Sequence, residues 1–478
     1  MTRCGDATTG ARRKNGAISL RRSRADEDEG GGRAMYRNAM KQLEAWKTSR
    51  RRKPLLVQGA RQVGKTWLIR EFGKNNFDKV AYVSFYDNED LARIFDGSLE
   101  ADRLVDALSI ASGVAIEDAD TLVVMDEIQA CPRAIMSLKA FNEQRPDLAV
   151  IGAGSLLGIA LHRDARSTSF PVGKVSWLNL YPMTFDEFLR AMGQGQLADA
   201  LRAGNIDLIS AFQERLTDHL RRYYFVGGMP EVVDEYAQTG DYGATRSIQL
   251  ELLDDYERDF SKYASPSESE KIRLVWNSIP SQLARENKKF MYTAVRPSGR
   301  ARDFETAIQW LVDAGMVVRV PRISKPGIPL SAYEDFGVFK LYALDVGLLG
   351  ARSGLGASTL IAGDALFTEF KGALTEQYVC QQLIACGLAP WYWSASNSSG
   401  EVDFVLQMDA DVIPVEVKAE ENLRAKSLQS LCSKYGLVRA VRLSMSPYRR
   451  ENTWLGGGAT LENIPLYAAG QLCEFLEA

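Results

Sequence analysis

Residues Gly59-Ala60-Arg61-Gln62-Val63-Gly64-Lys65-Thr66 carry the pattern G-x-x-x-x-G-K-T. Glycines at these positions let successive backbone N–H groups curl around phosphate oxygens. A helix that starts there adds its partial positive charge. Lys65 would reach the β- and γ-phosphates, and Thr66 would ligate Mg²⁺. The context agrees: Leu55-Leu56-Val57-Gln58 reads as a buried strand, and the residues through Phe72 read as a helix. The alternative is an ordinary Gly-rich strand–helix turn, which does not require the Lys-Thr pair. ATP and Mg²⁺ are therefore the expected cofactors.

A second chemical group follows. Thr121-Leu122-Val123-Val124-Met125 reads as a buried strand that ends in Asp126-Glu127. Asp126 is expected to hold Mg²⁺ through water, and Glu127 to polarise an attacking water. A Glu directly after the Asp favours an ATPase of the additional-strand class over a small GTPase, and no Asn-Lys-x-Asp guanine reader occurs. The next strand ends in Gly154-Ser155. Ser155 fits two roles, a sensor of the γ-phosphate or water and a helix N-cap. Arg163, Arg166 and Lys174 are candidates for stabilising transition-state charge, and nothing in the sequence selects among them.

These residues need a scaffold. Short apolar runs at 53–58, 80–85, 121–125, 148–152 and 175–180 alternate with helical spacing. That alternation predicts an α/β fold, a parallel sheet with helices on both faces. The expected organisation is an ATPase domain over 35–190, a helical region over 191–265, a winged-helix-like module over 266–350 and an α/β domain over 351–478. In the module, Phe304, Ile308, Leu311 and Val312 form one helix face, Gly315 ends the helix, and 316–320 pairs with 339–343 as a wing. Residues 1–34 lack large apolar side chains and mix basic, acidic and glycine runs, so they are expected to be disordered and dispensable. Met35 begins the helical pattern and is a candidate natural start.

Several segments together resemble one family. They are the P-loop, Met125-Asp126-Glu127-Ile128-Gln129, Gly154-Ser155-Leu156-Leu157, Ser169-Phe170-Pro171-Val172-Gly173-Lys174 and Gly227-Gly228-Met229-Pro230. Asp259-Phe260-Ser261-Lys262-Tyr263, Lys340-Leu341-Tyr342 and Asp345-Val346-Gly347-Leu348-Leu349 follow in order. From about Met35 to the end, the chain resembles prokaryotic AAA-type predicted ATPases with a C-terminal domain of unknown function. The resemblance implies ATP binding and a nuclease-like C-terminal fold, and leaves the biological role open.

The C-terminal part carries its own acids. Glu401-Val402-Asp403 precedes Val415-Glu416-Val417-Lys418, and alternate residues of a strand share a face. Asp403, Glu416 and Lys418 are similar to the PD-(D/E)xK nuclease core, with Glu376 as a further acid from the preceding helix. Such acids would hold a divalent ion beside a phosphodiester while Lys418 orients water. The plain alternative is a solvated strand face. Trp391-Tyr392-Trp393 could stack bases or simply pack.

Composition limits the function classes. The chain has 478 residues and a net charge of −3, which gives no global basic excess. Six scattered cysteines read as free thiols, and two histidines exclude a His-rich metal site. No apolar run is long enough to span a membrane, so a cytoplasmic location is expected. The expected partners are ATP, DNA, and another protein or a second copy of the chain. An ATP-gated DNA nuclease and a nucleotide-stabilised DNA-binding scaffold are the competing readings.

Overall fold

The computed structural model describes residues 35–159, 171–362, 368–395, 400–419 and 425–477. Residues 1–34, and with them the question of their disorder, lie outside the described residues.

The first sheet holds β1 (Leu55–Gln58), β2 (Lys79–Ser84), β3 (Thr121–Asp126), β4 (Ala149–Gly154) and β5 (Ser176–Asn179). All its pairings are parallel, in the order β2-β3-β4-β1-β5. Successive residues of each strand serve opposite faces. Leu55 and Val57 of β1 pack with Leu68, Ile69 and Phe72 of the helix Lys65–Asn76. Leu56 between them packs with Leu104, Leu108 and Leu138 from the helices Ala101–Ser112 and Pro132–Gln144 on the other face. Helices on both faces explain why these strands read as continuous apolar runs rather than as alternating ones.

Helices dominate residues 185–283, as the 3.6-residue spacing predicts. Two long ones matter for the site, Tyr242–Tyr263 and Pro266–Leu283. The helix Ala301–Asp313 buries Phe304, Ala307, Ile308 and Leu311.

The second sheet holds β6 (Val317–Ile323), β7 (Glu334–Ala343), β8 (Trp391–Ser394), β9 (Glu401–Met408), β10 (Asp411–Val417), β11 (Arg439–Ser444), β12 (Arg449–Trp454) and β13 (Ala459–Pro465). Its order is β12-β13-β11-β10-β9-β8-β6-β7. β6 and β7 pair as expected, with Val317 opposite Ala343 and Val320 opposite Lys340. The hairpin is not a free wing, however. Arg322 and Ile323 of β6 pair in parallel with Tyr392 and Trp393 of β8, so the expected division at residue 350 runs through one sheet. The open edge of β6 needs a partner strand, and one contributed about 70 residues later along the chain leaves no local pattern. Tyr392 and Trp393 are buried, so these two rings pack and are not presented for stacking on bases.

One apolar core runs from the inner face of the first sheet through the helices to Phe404, Leu406, Ile413 and Val415 of the second sheet. A polar joint sits within it. The buried Asp345 carboxylate accepts from Gly228 N at 2.6 Å, Leu348 N at 3.0 Å and Gln381 Nε2 at 3.0 Å. A Cβ at Gly227 would lie 2.1 Å from Asp345 Oδ1, so the Gly227-Gly228 pair and the Asp345 motif fit as two halves of one contact.

Candidate nucleotide site and C-terminal carboxylate cluster

The P-loop leaves β1 at Gln58 and enters its helix at Lys65. Gly64 has φ +88°, a left-handed conformation in which glycine has no steric penalty. The Lys65 ammonium is buried and donates to Gly59 O at 3.0 Å and Ala60 O at 2.8 Å. Burial lowers its pKa to about 8, against the opposing pull of Glu127 and Asp126. Both acids therefore lie within electrostatic reach of the P-loop lysine.

Thr66 Oγ1 donates to Asp126 Oδ2 at 2.8 Å. These are the two side chains expected to share Mg²⁺, and the oxygens they bring together suit that hard cation. Tyr82 OH, from β2, donates to the same Asp126 oxygen at 2.6 Å. Glu127 follows with φ +51°, which is uncommon for a residue with a side chain and turns the chain away from the strand. Its carboxylate accepts from the side-chain amide of Gln129.

Other elements clamp the loop. Arg61 Nη1 pairs with Asp259 Oδ1 at 2.7 Å, Gln62 Nε2 donates to Asp255 Oδ2 at 3.2 Å, and Tyr256 OH donates to Arg61 O at 2.9 Å. All three partners lie on the helix Tyr242–Tyr263. Arg37 Nη1 donates to Val63 O at 2.9 Å. Gly315 turns at φ +69° where a Cβ would meet Ala60 N at 3.2 Å, so the end of the helix 301–313 closes over the loop. Beside it a cavity of about 340 Å³ is lined by Gly59, Ala60, Ser155, Asn179, Tyr181 and Gly315, among others. Ser155 thus faces the same space as the loop. Lys174 pairs with Glu143 at 2.9 Å, while Arg163 and Arg166 lie outside the described residues.

The C-terminal acids converge. Phe404 is opposite Val415 in the β9–β10 register, which sets Asp403 beside Glu416 on one face. Asp403 Oδ2 accepts from Val417 N at 2.8 Å, and Lys418 Nζ reaches Glu416 Oε1 at 2.6 Å. Glu376, on the helix Thr368–Ala385, pairs with Lys288, accepts from Tyr342 OH at 3.2 Å and lies 3.6 Å from Lys340 Nζ. Lys340 also pairs with Glu401 at 2.6 Å. Burial pushes the Asp403 and Glu416 carboxyls up, with neighbouring acids adding to the effect. Burial also acts to raise Glu376, but Lys288 and Lys340 outweigh it and bring the carboxyl down to about 2.

Lys418 lies within reach of the Glu416 carboxylate, and Lys288 and Lys340 add positive charge from outside β9 and β10. Among the described residues, no group of three or more His, Cys, Asp or Glu side chains has the arrangement of a metal site.

Several contributors lie in no motif singled out in the sequence: Arg37, Tyr82, Asp255 and Lys288. Others stood inside noted motifs. Asp259 opens the Asp-Phe-Ser-Lys-Tyr segment, and Lys340 and Tyr342, two apart on β7, present one face to Glu376.

No curated relative matches the chain. Among solved structures, the Walker-type ATPase PABY2304 of Pyrococcus abyssi is similar over 66% of this chain and 94% of its own, at 15% identity and a TM-score of 0.41. The ORC2 protein of Aeropyrum pernix in its ADPNP–ADP complexes is similar over 73% of this chain and 96% of its own, at 14% identity and a TM-score of 0.34. The ORC1 protein of Aeropyrum pernix in complex with DNA covers 66% and 90% respectively, at 14% identity and a TM-score of 0.26. No helix among the described residues is long and apolar enough to cross a membrane. Residues 217–359 and 371–466 match two domains of unknown function, DUF8612 and DUF4143. Residues 51–189 match the AAA domain family, and the parallel sheet and the Lys65–Thr66–Asp126 geometry of this segment agree with that match.

Proposed function

We propose that the protein hydrolyses ATP at the P-loop and uses the cycle to move its helical region against the C-terminal sheet. The observation that carries this reading is the gathering of Lys65, Thr66, Asp126 and Glu127 at the C-terminal edge of β1 and β3, with Thr66 and Asp126 in direct contact at 2.8 Å.

Phosphate oxygens would replace the carbonyls of Gly59 and Ala60 as acceptors for Lys65. Thr66 and Asp126 would hold Mg²⁺, which supplies charge neutralisation on the phosphates. Glu127 would take a proton from the attacking water as its oxygen bonds to the γ-phosphorus. The bond to the β–γ bridging oxygen breaks, leaving ADP and phosphate. Arg61 and Gln62 would pass the resulting change in the loop to Asp259 and Asp255, and so to the helix Tyr242–Tyr263.

A second reading, ATP-gated phosphodiester cleavage, is favoured by the convergence of Asp403, Glu416 and Lys418. It requires Lys288 to withdraw from Glu376 so that a metal ion has room. DNA is the polymer proposed for this sheet. Another protein or a second copy is proposed to supply the charge-stabilising arginine.

Phosphate release and plasmid nicking by the purified full chain test both readings. Turnover lost in Lys65→Ala supports the first, and wild-type turnover in that variant contradicts it. Nicking that disappears in Glu416→Ala supports the second.

A further inference from the structure

Gln129 lies two residues beyond Glu127, in the short 3₁₀ turn Ile128–Ala130. Its side-chain nitrogen donates to Glu127 Oε2. Only the NH₂ end of an amide can donate to a carboxylate, so this contact fixes which way the amide points. The other end, Oε1, is buried and has no hydrogen-bond partner. An unpaired buried carbonyl oxygen is unfavourable. The direction of the amide is therefore set by Glu127 and not by a partner for its oxygen.

The oxygen lies against Gly154, the last residue of β4. A Cβ built there would be 2.0 Å from Gln129 Oε1 and 3.0 Å from Gln129 Cδ. A residue larger than glycine at 154 would force the Gln129 amide and the Leu157 side chain, 2.7 Å from that Cβ, to shift. The end of β4 is thus shaped to admit Gln129, and Gln129 spans from the end of β3 to the residue next to Ser155. Glu127 itself stands at φ +51° in the turn that follows β3.

We propose that Gln129 is the positioning residue for Glu127, an inference that rests on the hydrolytic role given to Glu127 above. The amide occupies Oε2 and leaves the other carboxylate oxygen free to accept the proton of the attacking water. Its proposed action runs through Glu127 alone.

The test uses steady-state ATP turnover and equilibrium binding of a fluorescent ATP analogue by the full-length protein. Gln129→Met keeps the length of the side chain and its packing on Gly154 but removes the donor. It should lower kcat by about 10- to 100-fold, the scale of a misplaced catalytic group, while KM and analogue binding stay at wild-type values. Gln129→Glu should lose kcat as well, since it has the shape without the donor. In a Glu127→Gln background, Gln129→Met should cost nothing further, because there is no base left to position.

A wild-type or raised kcat in Gln129→Met overturns the inference, as does an equal loss of kcat and binding. An additional loss in the Glu127→Gln background also overturns it, since that would mean a general structural role. Full turnover in Glu127→Gln alone would instead remove the role of Glu127. The two failures are therefore distinguishable.

Discussion

Arg61 of the phosphate loop pairs with Asp259 at 2.7 Å, across 198 residues of chain. Arg61 is 41% exposed, so solvent screening limits what the pair adds to stability. Its position matters more than its strength. It connects the loop that would hold phosphates to the long helix Tyr242–Tyr263, which packs in turn on Pro266–Leu283. Lys288 follows that second helix and reaches Glu376.

Asp259→Asn should therefore change unfolding free energy by under about 1 kcal/mol in urea titration. In hydrogen exchange, ATP should alter protection of residues 242–263 in the wild type and do so far less in Asp259→Asn. An unchanged ATP response in the variant would mean that the pair transmits nothing.

Tyr82 supports Asp126 from β2 through a 2.6 Å hydrogen bond. Groups that orient a metal ligand commonly affect metal affinity by about 10- to 100-fold. Tyr82→Phe is expected to raise the Mg²⁺ concentration for half-maximal turnover by about tenfold, with kcat at saturating Mg²⁺ near wild type. An unshifted Mg²⁺ titration would show that Thr66 alone suffices to orient Asp126.

Lys340 is fully buried between Glu376 and Glu401. Removing one partner of a buried ion pair leaves an uncompensated charge, at a cost of about 3–5 kcal/mol. Lys340→Ala should lose stability on that scale by urea unfolding, and a loss under about 1 kcal/mol would mean that water or Lys288 readily takes its place.

Glu376 gives the cluster a pH signature. Its carboxyl is at about 2 in the fold against an ordinary 4.5, with burial opposing the shift and Lys288 and Lys340 producing it. A lowered carboxyl stabilises the fold above the unfolded value and loses that contribution as pH falls toward the folded value. The stability difference between wild type and Glu376→Gln should accordingly be largest above about pH 5 and shrink as pH falls between about 4.5 and 2. Asp403 and Glu416 shift upward and act in the opposite sense, and Glu376 helps to raise both, so their smaller contribution changes with it in the variant. A difference independent of pH would contradict the assignment.

The P-loop and Asp126-Glu127 were legible because each is a single local segment: a strand, a turn and the start of a helix, or a strand and its last residues. The parallel sheet was legible for the same reason, since its strands are short apolar runs set off by helical spacing. What joins these segments was not. Asp255 and Asp259 read as polar positions on a long helix, and only the fold brings them to Gln62 and Arg61. Gly154 was noted as part of a motif, but its close approach to Gln129, on another strand's turn, is visible only in the fold. The hairpin β6–β7 was legible as a pairing of 316–320 with 339–343, whereas its parallel pairing with β8 depends on residues 322 and 392, which no periodicity links. The C-terminal acids were found as a group because β9 and β10 are consecutive. The lysines from outside those strands, which change the charge of the cluster, were not.

The most direct test of ATP hydrolysis is Glu127→Gln, measured by phosphate release and by equilibrium ATP binding on the same preparation. The amide keeps the shape of the side chain and removes the base. Binding within about twofold of wild type, with turnover reduced about 100-fold or more, is the predicted result. Equal turnover in the two proteins would contradict the account.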